Sequence, residues 1–315
     1  DITSIDDVKQ SIENQDYIIH LASETGTGQS MYEIHKYNEV NASGTAILMN
    51  VLVNESHQIK KIILASSRAV YGEGKYRNSH SEIFFPEQRN VVKMQQGFFD
   101  FQDANGEVLQ AIATDEKSKI NPVSVYGITK FYQEQLVKTV GLSIHIPFVI
   151  LRYQNVFGAG QSLRNPYTGI LSVFSNQILS GKPINVFEDG KPIRDFVYID
   201  DVVDATIAGL EREEANNEIV NIGSGIPTSV SDVAHILMEK YNKQTEINIS
   251  GNFRVGDIRN NFADIYKAEK ILNFQPKIPF ADGIARFVKW VGEQNVQDNC
   301  LENSLQEMRQ KGLLK

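Results

Sequence analysis

The sequence predicts an α/β fold built on a doubly wound, open parallel sheet. Two observations predict it. Short apolar runs that end in small or polar residues recur along the chain: DYIIHL before Ala22 and Ser23, KKIILA before Ser66 and Ser67, and PFVILRY before Gln154 and Asn155. Between them lie segments whose apolar residues recur with helical spacing. Strands that alternate with helices in this way form parallel sheets, and their chemistry collects at the carboxyl ends of the strands.

In chain order, Ile5–Glu13 reads as a short helix and Asp16–Leu21 as the first strand. His20 inside that strand is expected to be a packed core residue. Met31–Val53 contains a long amphipathic helix ending near Asn54, and Lys61–Ala65 is a buried strand. Residues 72–118 form an insertion with aromatic patches at Phe84–Phe85 and Phe98–Phe101 and a hairpin turn at Asn105–Gly106. It is expected to pack as a β-hairpin over the site or at an oligomer contact. A helix spans Asn121–Lys138, with Pro122 near its start. The strand within Pro147–Gly158 follows, then a helix over Tyr167–Leu179 stopped by Gly181. Ile184–Phe187 is a short strand and Glu188–Pro192 a loop. Phe196–Ile199 is a strand, and Asp200 or Asp201 caps a helix running to Leu210. Glu218–Ile222 returns as a sheet strand, Ser229–Tyr241 is a capped helix, and helix and loop alternate from Ala263 onward.

Composition excludes several classes. The chain has 315 residues, 41 % hydrophobic and 22 % charged, as in an ordinary globular protein. A net charge of −8 argues against a nucleic-acid surface. Cys300 is the single cysteine, so no intrachain disulfide forms and no thiolate metal cluster is expected. No apolar run reaches the ~18 residues that a membrane span needs, and no signal peptide is visible. No membrane partner and a cytoplasmic location are therefore expected.

The helix at Asn121–Lys138 carries Tyr126 and Lys130, four residues apart and so on one face. A lysine ammonium beside a phenol favours the phenolate and lowers its pKa, which suits a general base near neutral pH. The order strand–Ser66-Ser67, helix with Tyr126 and Lys130, strand–Arg152-Tyr153-Gln154-Asn155 resembles the extended short-chain dehydrogenase/reductase family, and within it the nucleotide-sugar epimerases. The resemblance runs from Asp1 to about Trp290.

It implies a Rossmann-like sheet that binds NAD, formed by residues 1–160 and 191–222, with a smaller interleaved α/β part at 161–190 and 223–315 that binds a nucleotide-diphosphate sugar. It implies Ser67, Tyr126 and Lys130 as catalytic residues. Asp1, Leu21, Ala22, Ser23, Asn41, Ser66 and Tyr153 would join Tyr126 and Lys130 around the cofactor. Asn155, Asn185, Phe187, Arg194, Arg254 and Asp257 would join Ser67 and Tyr126 around the substrate, with Arg259 beside them. Phe187 reads equally well as plain core. Arginine forks suit phosphate oxygens, which is why Arg194 and Arg254 are placed at the diphosphate. No metal is implied. A homodimer is, by analogy with family members that pair through the tyrosine helix.

Related 4,6-dehydratases carry an Asp-Glu pair between the Ser/Thr and VYG. Here that pair is Arg68-Ala69, and neither can transfer a proton, so elimination is disfavoured. Reversible oxidation at one carbon remains, which predicts a 4-epimerase. The blocks GTGQSMYEIHKY, SSRAVYGEG and QSLRNPYTGILSVF resemble the epimerases of dTDP-6-deoxyhexoses such as dTDP-L-rhamnose. A UDP-hexose or UDP-hexuronate epimerase, a 4-ketosugar reductase, and a cofactor-binding scaffold without turnover are the alternatives. No glycine-rich G-x-G-x-x-G turn precedes a helix, so roughly two βα units at ~30 residues each are expected to be missing before Asp1. On that expectation these 315 residues alone bind NAD poorly and are inactive.

Overall fold

A computed structural model describes residues 1–163, 165, 169–294 and 301–315. Ser4 caps α1 (Ile5–Ile12), its hydroxyl accepting from the Asp7 N–H at 3.3 Å, and two aspartates occupy the first turn, where the helix dipole favours them. β1 (Tyr17–His20) follows, then the single turns α2 (Thr27–Ser30) and α3 (Ile34–Tyr37). The helix expected over Met31–Val53 is interrupted: α3 passes through a π-helical turn at Asn38–Ser43 before α4 (Gly44–Asn54). Within that wide turn Asn41 is fully buried and holds the loop after β1.

β2 (Lys61–Ser67) is buried at every position, as the inner strand of a parallel sheet must be. The insertion folds as a small antiparallel sheet of β3 (Lys75–Arg77), β4 (Ile83–Phe84) and β5 (Gln110–Ile112), in the order β4-β3-β5, with α5 (Val91–Gln95) beside it. Its expected hairpin turn is present: Gln102 bridges Val108 antiparallel, and Gly106 sits at φ 84°, where glycine has no Cβ penalty. α6 (Val125–Ser143) begins at Ser124, whose hydroxyl accepts from the Gly127 N–H at 3.1 Å. β6 (Phe148–Tyr153), β7 (Asn155–Phe157), α7 (Ile170–Leu179), β8 (Ile184–Val186), β9 (Ile193–Tyr198), α8 (Ile199–Glu211) and β10 (Glu218–Ile222) come next. β11 (Pro227–Ser229), α9 (Val230–Tyr241), β12 (Ile247–Ile249), α10 (Tyr266–Leu272), α11 (Phe280–Gly292) and α12 (Leu301–Gln310) complete the order. The expected start of α7 at Tyr167 lies outside the described residues.

The main sheet has the order β1-β2-β6-β10, all parallel. Period-two alternation sends its side chains to two cores. Ile62, Leu64, Phe148 and Ile150 pack with Leu48, Met49 and Leu52 of α4 on one face. Ile63, Val149, Leu151 and Val220 pack with Val202 and Ala205 of α8 and Leu272 of α10 on the other. The sheet is thus doubly wound. A third core joins α7, α9 and α11 to β8 and β9 through Phe174, Ile178, Val186, Leu237, Ile284 and Phe287. β9 serves two cores, Val197 facing the sheet and Phe196 and Tyr198 the third core. Among the described residues no helix is long and apolar enough to cross a membrane.

Two caps differ from expectation. Ser229 does cap α9, in a reciprocal box with Asp232. Neither Asp200 nor Asp201 caps α8: the chain enters that helix from Tyr198, and both aspartates fall in the first turn. Asp201 instead accepts the backbone N–H groups of Lys277 and Ile278 at 3.0 and 3.2 Å, pinning the segment before α11.

Candidate active site

A cavity of about 860 Å³ runs along the carboxyl ends of β1, β2 and β6 and on past β7 to α7 and β8. The hydroxyl-bearing turn after β2 reaches it because α6 approaches that turn closely. A Cβ on Gly127 would lie 2.6 Å from the Ala69 carbonyl oxygen, so only glycine permits the contact that brings Tyr126 to Ser67. Gly127→Ala should therefore destabilise the protein by about 1–3 kcal/mol, the usual cost of overpacking, and lower turnover too; urea unfolding and kcat measure the two effects.

Three groups converge at the reaction end. Tyr126, Ser67 and Lys130 all line the cavity. Burial raises the Tyr126 phenol above its ordinary value, and hydrogen bonding to Ser67 and the charge of Arg68 pull against it. The expectation that Lys130 lowers this pKa is corrected. Its Nζ sits 5.8 Å from the tyrosine ring centroid and donates to the Ala65 carbonyl at 3.0 Å, while burial brings the ammonium itself down to about 8. The cation acting on the phenol is Arg68.

Behind these groups lies a buried polar chain. Ser66 donates to Glu134, which forms a two-point ion pair with Arg152 at 2.9 and 2.6 Å. Arg152 donates to the Tyr71 hydroxyl at 2.8 Å, and Tyr71 to Asn221 at 2.8 Å. The chain ties β2, α6, β6 and β10 together at their functional ends. Ser66 thus supports the site with its proton already directed at Glu134.

His20 lies deeper, its Nε2 2.9 Å from the Thr45 hydroxyl, as a core histidine. Burial, and then the charge of Lys130, lower its pKa from 6.5 to about 4. The folded protein therefore excludes a proton that the unfolded chain binds. Stability is full above pH 6.5 and is lost as pH falls towards 4, by up to about 3 kcal/mol from this residue. Urea unfolding at pH 7.5 and pH 4.5 should show that loss, and His20→Gln should remove it.

The other expected residues divide. Leu21, Ser23, Ser66, Tyr153, Asn155, Asn185, Phe187, Arg194, Arg254 and Asp257 all line the cavity. Asp1, Ala22 and Asn41 do not line it, each for a local reason. Asp1 is exposed, its carboxylate engaged by Thr3 and its amino group by Asp7. Ala22 is exposed. Asn41 faces the loop after β1, accepting from the Glu24 N–H at 2.8 Å and donating to Thr129 at 3.0 Å, so it shapes the cavity wall from behind. The Tyr153 hydroxyl pairs with Thr206 at 2.8 Å.

At the far end, Arg254 stacks over Phe187 with its guanidinium carbon 4.9 Å from the ring centroid, which decides Phe187 for the cavity. Burial tends to raise Asp257, but the guanidinium of Arg194, then those of Arg254, Arg89 and Arg68, hold its carboxyl below the ordinary value. Arg259 lies outside the cavity. It is fully buried and paired with Asp100, Asp189 and Glu188. Arg194 lines the cavity, but its four terminal N–H donors meet the carbonyls of Ile193, Ile258 and Arg259 and the Asp257 carboxylate. It acts first as a clasp on that loop.

Sequence reasoning missed Arg68 as a site residue. It lines the cavity, and its Nε donates to Asn155 Oδ1 at 2.9 Å. A charged residue directly after Ser67 at a strand's end was the available signal. The insertion also reaches the site: Arg89 binds Glu188, a cavity residue, through two bonds of 2.8 Å.

The sequence model of the NAD dependent epimerase/dehydratase family matches residues 1–90 and 103–223. A dTDP-L-rhamnose 4-epimerase from Burkholderia thailandensis is 39 % identical over 277 residues, covering 88 % of this chain and 75 % of that protein. A putative UDP-glucose 4-epimerase from Methanocaldococcus jannaschii is 30 % identical over 290 residues, 92 % of this chain and 81 % of that protein. Among solved structures, UDP-glucose 4-epimerase of Thermotoga maritima with UDP-glucose superposes with a TM-score of 0.75 at 26 % identity, covering 93 % of this chain and 83 % of that one. UDP-glucuronic acid 4-epimerase of Bacillus cereus, in complex with UDP-glucuronic acid and NAD, gives 0.74 at 26 % identity, with 93 % and 80 % covered. The parallel sheet, the Ser67–Tyr126–Lys130 cluster at its carboxyl edge and these matches lead to one statement: the chain belongs to the NAD dependent epimerase/dehydratase family.

Proposed function

We propose that the protein is an NAD-dependent 4-epimerase of a nucleotide-diphosphate sugar, with a dTDP-6-deoxyhexose such as dTDP-L-rhamnose as substrate. The observation that carries this reading is the joining of Ser67, Tyr126 and Lys130 to Asn155, Phe187 and Arg254 along one cavity. The residues present fit the cofactor: the buried ammonium of Lys130 and the apolar side chains of Ile19, Leu21, Val203 and Ile207 line the same cavity. Lys130 would hold ribose hydroxyls there. NAD, when bound, supplies a hydride acceptor and returns the same hydride.

Tyr126 takes the proton of the C4 hydroxyl. Ser67 orients that hydroxyl by hydrogen bonding to both partners. Arg254, stacked on Phe187, faces the nucleotide diphosphate, and Asn155 orients the substrate between the two ends. Because the diphosphate is anchored away from the reacting carbon, the 4-keto sugar can present its other face to the returning hydride. Arg68 and Ala69 provide no carboxyl for eliminating water. A homodimer accompanies this reading, supported by the exposed Ile128 and Tyr132 one turn apart on the outer face of α6.

A panel of dTDP- and UDP-sugars, with products resolved by NMR, tests it. Interconversion of dTDP-6-deoxyhexose C4 epimers without added NADH is expected. Turnover of UDP-hexoses or UDP-hexuronates alone would move the substrate class, and stoichiometric consumption of NADH would make the protein a ketosugar reductase.

A further inference from the structure

Several arginines lie in or around the site, and most are already engaged by the protein. Arg152 is paired with Glu134, Arg89 with Glu188, Arg259 with Asp189 and Asp100, and Arg194 with three carbonyls and Asp257. Arg68 differs. Its one described hydrogen bond is from Nε to Asn155 Oδ1, at 2.9 Å. Among the described residues no carboxylate lies within ion-pair distance of it, and its two terminal nitrogens meet no protein acceptor. The bond to Asn155 fixes the plane of the fork, and the residue lines the cavity directly after Ser67.

We propose that Arg68 is a substrate-recognition residue whose two terminal nitrogens donate to oxygens of the pyranose ring next to the carbon on which Tyr126 and Ser67 act. This rests on the epimerase reading above. A guanidinium offers two parallel donors at a fixed spacing, which suits a pair of neighbouring sugar oxygens as it suits a carboxylate. Its place beside Ser67 and the phenol puts it at the reacting end of the cavity, whereas Arg254 and Phe187 occupy the other end. Burial, and then the charge of the neighbouring Arg194, disfavours an unpaired cation here and brings Arg68 down to about 10. Sugar oxygens would supply the acceptors that the protein withholds. The same cation faces Tyr126, so the residue that grips the ring also favours the phenolate.

The test is calorimetric titration of the wild type, Arg68→Met and Arg68→Gln, each with NAD present, using a dTDP-6-deoxyhexose and dTDP alone. We expect both variants to bind the sugar nucleotide at least tenfold more weakly and dTDP within twofold of the wild type, with unchanged melting temperatures. Equal weakening for sugar nucleotide and dTDP would assign Arg68 to the phosphates and overturn the proposal; unchanged affinity for both would overturn it as well. A wild type that binds dTDP but gains nothing from the sugar would also overturn it. A wild type that binds neither ligand defeats the epimerase reading itself, and that flat titration tells the two failures apart.

Discussion

Tyr126→Phe will lower turnover by roughly 10²–10⁴-fold, the range that a positioned general base contributes, while leaving affinity for the sugar nucleotide within a few-fold. The substitution removes one oxygen. It leaves the ring, which meets Tyr37 edge-on at a centroid distance of 6.5 Å, and the Tyr126 N–H bond to the Ser30 hydroxyl at 3.0 Å. The helix start and the cavity wall therefore stay in place. Steady-state kinetics and equilibrium titration on the same preparation check both halves. Wild-type turnover in the variant would sink the assignment of the base. Because burial sets the phenol above its ordinary pKa, the wild-type rate should rise with pH above neutrality. The rise should be displaced further upward in Arg68→Gln, which removes the cation that opposes burial.

Glu134→Ala is expected to be the most damaging substitution for stability. Its carboxylate is completely buried and is the counter-charge of the equally buried Arg152. Removing one member of such a pair leaves an uncompensated charge, at a cost of about 3–5 kcal/mol. The loss extends to function. Ser66 loses its acceptor, and Lys130 loses the carboxylate that keeps its pKa from falling further, so a smaller share of the lysine should be charged at any given pH. The double replacement Glu134→Leu with Arg152→Met should recover most of the stability and little of the activity. Urea unfolding and kcat, measured on both variants, separate the structural role of the pair from its effect on Lys130.

The sheet and the reacting cluster were legible because they rest on local patterns. Lys61–Ala65 reads as an inner strand because it is a short apolar run that ends in small polar residues. Tyr126 and Lys130 share a face by helical periodicity alone. What was hidden depends on partners far apart in sequence. Arg194 reads as a phosphate ligand until the carbonyls of Ile258 and Arg259, more than sixty residues away, are seen to take its donors. Arg259 reads as a surface or ligand cation until Glu188, Asp189 and Asp100 close around it. Asp195 gave no signal at all, yet its carboxylate accepts from the Ser224, Gly225 and Ala263 N–H groups and joins three segments. The break at Asn38–Ser43 was invisible for a different reason: its residues have ordinary helix spacing, and the wide turn follows from burying Asn41.

β10 pairs with β6, yet the chain between them builds most of α7, β8, β9 and α8. During synthesis, the fourth strand of the main sheet therefore emerges only after a long excursion into the neighbouring core, and that core in turn waits for Phe287 in α11. Neither core can close as the ribosome proceeds from one end. Helices and the β1–β2 pair form early, and the decisive long-range closures come together late. Such high-separation pairing predicts slow, highly cooperative acquisition of structure, and a protease nick at the exposed turn at 159–160 should leave the two pieces held together until both cores melt.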